Sequence, residues 1–181
     1  MNSVFFLSIG LSAALYFSTY HLNGWMFKAL ELHPGTNWIF LPAGVRLLCT
    51  LLFGGAGALG LLLASILIVT LHLGESMDWV TGLVSACISA GAPWLVYRLA
   101  QRAGMPATLE NLTAVRLSVL VLAYAFANAS LHSLWFELRG YYPDLVHGFV
   151  VMFIGDLIGT LIVVYAIKIL LAALRRSRPA A

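Results

Sequence analysis

Residues 147–174 read HGFVVMFIGDLIGTLIVVYAIKILLAAL, an apolar run broken by two charges, Asp156 and Lys168. About 20 apolar residues rising 1.5 Å each cross a hydrocarbon core of about 30 Å, and this run is long enough. Outward from it, five more apolar runs occupy about 3–20, 38–53, 56–73, 79–99 and 112–133. The 181 residues are 61% hydrophobic and only 9% charged, with a mean hydropathy of +0.94. A soluble domain carries about 25% charged residues, so this chain cannot coat a water-exposed surface. A soluble enzyme or nucleic-acid module is excluded. The expected fold is all-α: a polytopic membrane bundle of six transmembrane helices forming one integral membrane domain over residues 1–181.

The first run has no positive residue before its apolar stretch and extends to Tyr20, which reads as a retained helix rather than a cleaved leader. The second is short and meets the third through Phe53-Gly54-Gly55-Ala56-Gly57. Such a glycine cluster predicts a tight antiparallel hairpin.

Basic residues set orientation, because loops rich in Lys and Arg are retained in the cytoplasm. With six crossings, Arg98, Arg102, Arg116, Lys168, Arg175, Arg176 and Arg178 share one side. Lys28 and Arg139 fall on the other, with Glu31, Glu75, Asp78, Glu137 and Asp144. Both termini are therefore expected in the cytoplasm (N-in/C-in). On the outer side, Trp25, Met26, Phe27, Leu30 and Leu32 alternate with Lys28 and Glu31 before Pro34-Gly35. This spacing predicts a short interfacial helix within His21–Asn37. Trp135, Phe136, Tyr141 and Tyr142 suit the headgroup zone. Both loops read as membrane anchors, with a ligand-gating lid as the alternative.

Two intramembrane ions stand out. Arg46 lies eight positions after Trp38 and Asp156 nine after His147, each about 12–14 Å below the outer interface. A charge at mid-membrane costs at least about 2.5–3.5 kcal/mol and asks for a partner or a watery cavity. One reading is a ligand site in which Arg46 holds an anion or polar solute and Asp156 is its counter-ion. The other is a structural ion pair between spans two and six. Trp38, Pro42, Gly44 and Asn128 are candidate neighbours, and Pro42-Ala43-Gly44 is a place where span two could unwind around a ligand.

Small residues recur at helical spacing: Ala56, Gly60 and Ala64; Gly82, Ala86 and Ala90; Gly155 and Gly159. Such faces let backbones approach closely in lipid. The GxxxG of span six joins either two helices of one chain or two copies in a homo-oligomer. His21, His72, His132 and His147 fall near outer span ends, with His33 in the outer loop. They read as interfacial polar residues and are at most weak metal or haem candidates, since no HxxxH spacing is present. Cys49 and Cys87 lie in apolar segments and read as packed thiols. No Ser–His–Asp, HExxH, P-loop or GxSxG pattern occurs, so neither enzymatic activity nor a cofactor is expected. The basic residues lie between apolar runs, which speaks for the lipid bilayer as partner and against nucleic acid.

The segment Trp38-Ile39-Phe40-Leu41-Pro42-Ala43-Gly44-Val45-Arg46, followed by Leu51-Leu52-Phe53-Gly54, resembles the start of bacterial membrane-associated sensor (MASE-type) domains. Phe153-Ile154-Gly155-Asp156-Leu157-Ile158-Gly159 is similar to the closing segment of that family. The resemblance covers roughly residues 36–172 and marks Trp38, Pro42, Gly44, Gly155, Asp156 and Gly159. It implies a sensory module of the bacterial cytoplasmic (inner) membrane that usually precedes a cyclase, phosphodiesterase or kinase domain. Two departures stand beside it: six spans where the family often has eight, and a chain that stops soon after Lys168 without an output domain. The expected role is a standalone sensor-like or regulatory module that signals to a separate membrane or cytoplasmic protein. The alternatives are a substrate-binding membrane subunit of a small-solute transporter and a structural or assembly subunit of a membrane complex.

Overall fold

The computed structural model describes residues 3–33, 35–72, 78–105, 113–141 and 144–176. Pro34, Glu75, Tyr142 and Arg178 lie outside the described residues, as do the side chains of His33, Arg175 and Arg176. Among the described residues the chain forms six α-helices: α1 (Ser3–Phe27), α2 (Leu41–Phe53), α3 (Gly55–Leu71), α4 (Trp79–Arg102), α5 (Ala114–Leu138) and α6 (Leu145–Arg176). Helices α1, α4, α5 and α6 are long and apolar enough to cross a membrane, while α2 and α3, of 13 and 17 residues, are shorter.

Local chemistry accounts for the breaks. Gly54 separates α2 from α3 with φ +55° and ψ −128°, a positive-φ conformation that glycine adopts readily and a residue with a Cβ rarely does. The single glycine turns the chain back, as its cluster predicts. Asp78 caps α4 by accepting from the Val80 and Thr81 amides, and Thr113 caps α5 by accepting from the Arg116 amide. These caps satisfy amides that a first helical turn leaves unpaired. Gly140, with φ +69°, closes α5 and lets the Tyr141 amide reach back to the Phe136 carbonyl, the usual glycine stop.

The expected separate interfacial helix is corrected. Helix α1 runs on to Phe27, a 3₁₀ turn covers Lys28–Leu30, and β1 (Glu31–His33) pairs antiparallel with β2 (Thr36–Asn37). Nothing between Tyr20 and Phe27 stops a helix, since a lone glycine such as Gly24 costs only about 1 kcal/mol. The Asn37 side-chain nitrogen donates to the Phe27 carbonyl at 3.0 Å and fastens the hairpin to the end of α1. Pro42 does not unwind α2 either. It sits in the first turn, where a missing N–H leaves no hydrogen bond broken.

Helix α2 is central and touches each of the other five. The remaining helices ring it, α1 packing on α3, α3 on α4, α4 on α5 and α5 on α6. Small residues set the close approaches. A Cβ on Gly60 would strike the Ile9 carbonyl of α1, and one on Gly82 would strike Val69 of α3. Gly155 and Gly159 face the backbone of Asn37 and Phe40, and the Phe40 amide donates to the Gly155 carbonyl at 3.1 Å. The GxxxG is therefore an intrachain cradle for the segment that leads into α2. Gly44 lies against Thr160 and Val163 of α6.

Polarity runs inward. Ser12, Arg46, Thr50, Asn128, His132, Ser133, Asp156 and Thr160 are buried, whereas Leu7, Leu11, Leu63, Val119, Phe126 and Ile169 are exposed. That sorting suits hydrocarbon surroundings, where polar groups must find partners inside the protein.

Candidate functional site

The end of the bundle bearing the β-hairpin, His72, Asp78 and Arg139 is called the hairpin end. Below it, Arg46 projects from α2 into the interior and is 5% exposed. Its Nη2 donates to the Tyr16 hydroxyl of α1 at 2.6 Å. The guanidinium carbon stands 5.0 Å from the Tyr16 ring centroid and 5.1 Å from that of Phe40, within the range of cation–π attraction. Nε is buried and has no hydrogen-bond partner among the described residues.

The expected contact between Arg46 and Asp156 is absent. Among the described residues, the cation–carboxylate contact within 4.0 Å is Arg139–Asp78. Asp156 instead accepts from the Asn128 side-chain nitrogen at 2.7 Å, and its other oxygen has no partner among the described residues. Arg46 and Asp156 still influence each other electrostatically, and the fully buried Tyr124 feels both. The helix-depth argument placed the two ions at comparable levels, but depth says nothing about rotation about the helix axis. Arg46 turns toward α1, and Asp156 toward α5.

A cavity of about 90 Å³ lies beside the guanidinium, lined by Tyr16, Tyr20, Phe40, Ser65, His72, Ser85, Ser89 and His132 among others. A water needs roughly 10–15 Å³ by this measure, so the space suits several waters or a small solute. The buried Oγ atoms of Ser65 and Ser85 have no partner among the described residues. Toward the hairpin end a wider vestibule of about 440 Å³ is lined by His21, Asn23, Lys28, Glu31 and Asn37. Cavity and vestibule share Tyr20, Gly35, Phe40 and His72, so the deep site adjoins the hairpin end.

The other expected site residues are dispersed. Trp38 is half-exposed and packs edge-on against the His147 ring. Pro42 and Gly44 serve helix start and α2–α6 packing. Ala86 is buried and lines the cavity. The histidines separate: His21 and His72 have ring centroids 5.9 Å apart, His147 joins Trp38, and His132 is a buried wall residue. His132 is thus not interfacial. Its Nδ1 pairs with the Asn128 carbonyl at 3.1 Å. Among the described residues no three of His, Cys, Asp and Glu gather to hold a metal. Cys49 is buried but Cys87 is exposed, so only the first is a packed thiol.

Tyr16, Tyr20, Ser65 and Tyr124 escaped the reading by charge. A signal was present in their spacing. Ser8, Ser12, Tyr16 and Tyr20 recur every fourth residue in α1, as do Tyr124, Asn128 and His132 in α5. Residues four apart share a helix face, and in lipid a polar stripe is the face that turns inward.

At the hairpin end, Asp78 ties α4 to α5. It accepts from Thr81 Oγ1 at 2.7 Å, Tyr141 OH at 2.9 Å and Arg139 Nη2 at 3.1 Å. The hydrogen bonds from Thr81 and Tyr141, then Arg139, hold this carboxyl well below the usual carboxylate range.

Compared with protein-family models, curated proteins and solved structures, the chain finds no match in any of the three.

Proposed function

We propose that this chain is a sensor-like or regulatory module of a bacterial cytoplasmic membrane. It crosses six times with both termini inside, holds a small polar solute beside Arg46, and signals to a separate protein. The observation that carries the reading is a buried guanidinium that, among the described residues, has no carboxylate in contact and no partner at Nε, with a cavity next to it. A purely structural arginine would be expected to have a carboxylate within hydrogen-bonding reach, given the cost of burying a charge. The resemblance of residues 36–172 to MASE-type sensor domains points the same way.

Signalling follows from packing. The Arg46 helix rests on α6 through Gly44, and the Gly155–Gly159 cradle holds the segment leading into α2. A solute that binds two arrangements of α2 on α6 with different affinity shifts their populations. The basic end of α6 then meets its partner differently. The test is co-purification of the full chain with its partner from native membranes, for the parent and for Arg46→Gln. A changed yield of partner at equal folded protein is the expected result. An unchanged yield overturns the reading.

The vestibule favours a second reading, the substrate-binding subunit of a small-solute transporter, because it gives the deep site an opening at the hairpin end. Loss of solute uptake on deletion, with no signalling defect, selects that reading.

A further inference from the structure

We infer that the cavity beside Arg46 binds a short-chain monocarboxylate, admitted through the vestibule at the hairpin end. The inference rests on the binding half of the proposed function and is independent of signalling.

Charge selects the class. A guanidinium stays protonated, and among the described residues that line the cavity none is Asp or Glu. Asp156 accepts from Asn128 and is not among the lining residues. A cationic ligand would meet Arg46 in a low-dielectric space. Asp156 acts on Arg46 without touching it, so the guanidinium has room for a monoanion against it, whereas divalent phosphate or sulfate would set two more negative charges beside one cation.

Donor geometry and wall chemistry narrow it further. Tyr16 accepts from Nη2, and Nε has no partner among the described residues, so a carboxylate can accept a charge-assisted hydrogen bond from Nε. The hydroxyls of Ser65 and Ser85, without a partner among the described residues, can rotate to donate to an anion. Beside the polar Tyr20, His72, Ser89 and His132, the wall carries Ile68, Val69, Ala86 and Phe136, against which an alkyl stub can pack. A volume of about 90 Å³ limits that stub to a few carbons.

Access does not oppose this: Lys28 and Glu31 both line the vestibule, so its formal charges cancel, and the Glu31 carboxylate accepts from the Gly35 amide at 3.1 Å.

The probe is sodium propionate titrated at pH 7 into the purified full-length chain in mild detergent, read by calorimetry and thermal unfolding. Propionamide, sulfate and inorganic phosphate are titrated in parallel. Saturable binding of propionate, with no heat from propionamide and at least tenfold weaker binding of the two inorganic ions, is expected. Arg46→Gln should abolish it. Because that variant can fail to fold, Ser65→Ala with Ser85→Ala is measured as well. Two hydrogen bonds to a charged group are lost there, so propionate should bind at least about tenfold more weakly. Equal binding of propionate and propionamide overturns the inference, as does undiminished propionate binding in the double serine variant. Propionate binding with unchanged partner association keeps this inference and defeats the sensor reading. A partner response without any propionate binding does the reverse.

Discussion

Arg46 is hydrogen-bonded to Tyr16, 30 residues earlier in the chain, rather than to the opposite charge on α6. The 2.6 Å bond and the stacking of the guanidinium on the same ring make α1 the element that positions the buried cation.

Tyr16→Phe keeps the ring and removes the acceptor. A hydrogen bond to a charged group is worth about 1.5–3 kcal/mol, and the variant should lose stability of that order in detergent. Thermal unfolding checks it. Loss of well under 0.5 kcal/mol would mean that the hydroxyl is not the acceptor Arg46 depends on.

Gly159→Ala places a methyl against the Phe40 carbonyl and Leu41 amide at the head of α2. Overpacking of this kind costs about 1–3 kcal/mol, so the melting temperature should fall while the oligomeric state stays as in the parent. Size-exclusion with light scattering separates the two effects. A change of oligomeric state without a fall in stability would assign the GxxxG to an interface between copies.

Asp78 sets a pH dependence. Its carboxyl is held below the ordinary value by Thr81, Tyr141 and Arg139. A lowered folded-state value means stability present above the unfolded-chain value of about 3.9 and lost as pH falls through the folded one. The stability difference between the parent and Asp78→Asn should be constant from neutral pH down to about pH 5. It should shrink only in stronger acid. A difference that already halves near pH 6 would contradict the assignment.

Orientation is open to labelling. In a chain with Cys49→Ala and Cys87→Ala, Lys28→Cys should react with an impermeant maleimide from outside intact cells. Arg102→Cys should react only after the membrane is opened. The reverse pattern would invert the proposed topology.

Helix positions were readable because hydropathy is a local property. The six apolar runs lie within a few residues of helices, apart from the first, which was expected to end near Tyr20 and continues to Phe27. The Gly54 turn was equally plain. Arg46 and Asp156 were conspicuous as ions in apolar sequence, but their partners were not. Trp38, Pro42 and Gly44 were drawn to the site by the family resemblance and, for Pro42 and Gly44, by nearness to Arg46 in the chain, although an α-helix turns each successive residue about 100° away. The serine and tyrosine stripes carried the missing information in their four-residue period.

Length, apolarity and scarcity of charge were enough to specify a helical chain suited to hydrocarbon, because each span's requirement for about 20 apolar residues acts within that span. Rotation of each helix about its axis was settled by packing. The close backbone approaches at Gly60, Gly82, Gly155 and Gly159 select which face meets which, and so they put Tyr16 rather than Asp156 against Arg46. Those contacts join residues far apart in the chain, and no single run contains the information to choose among them.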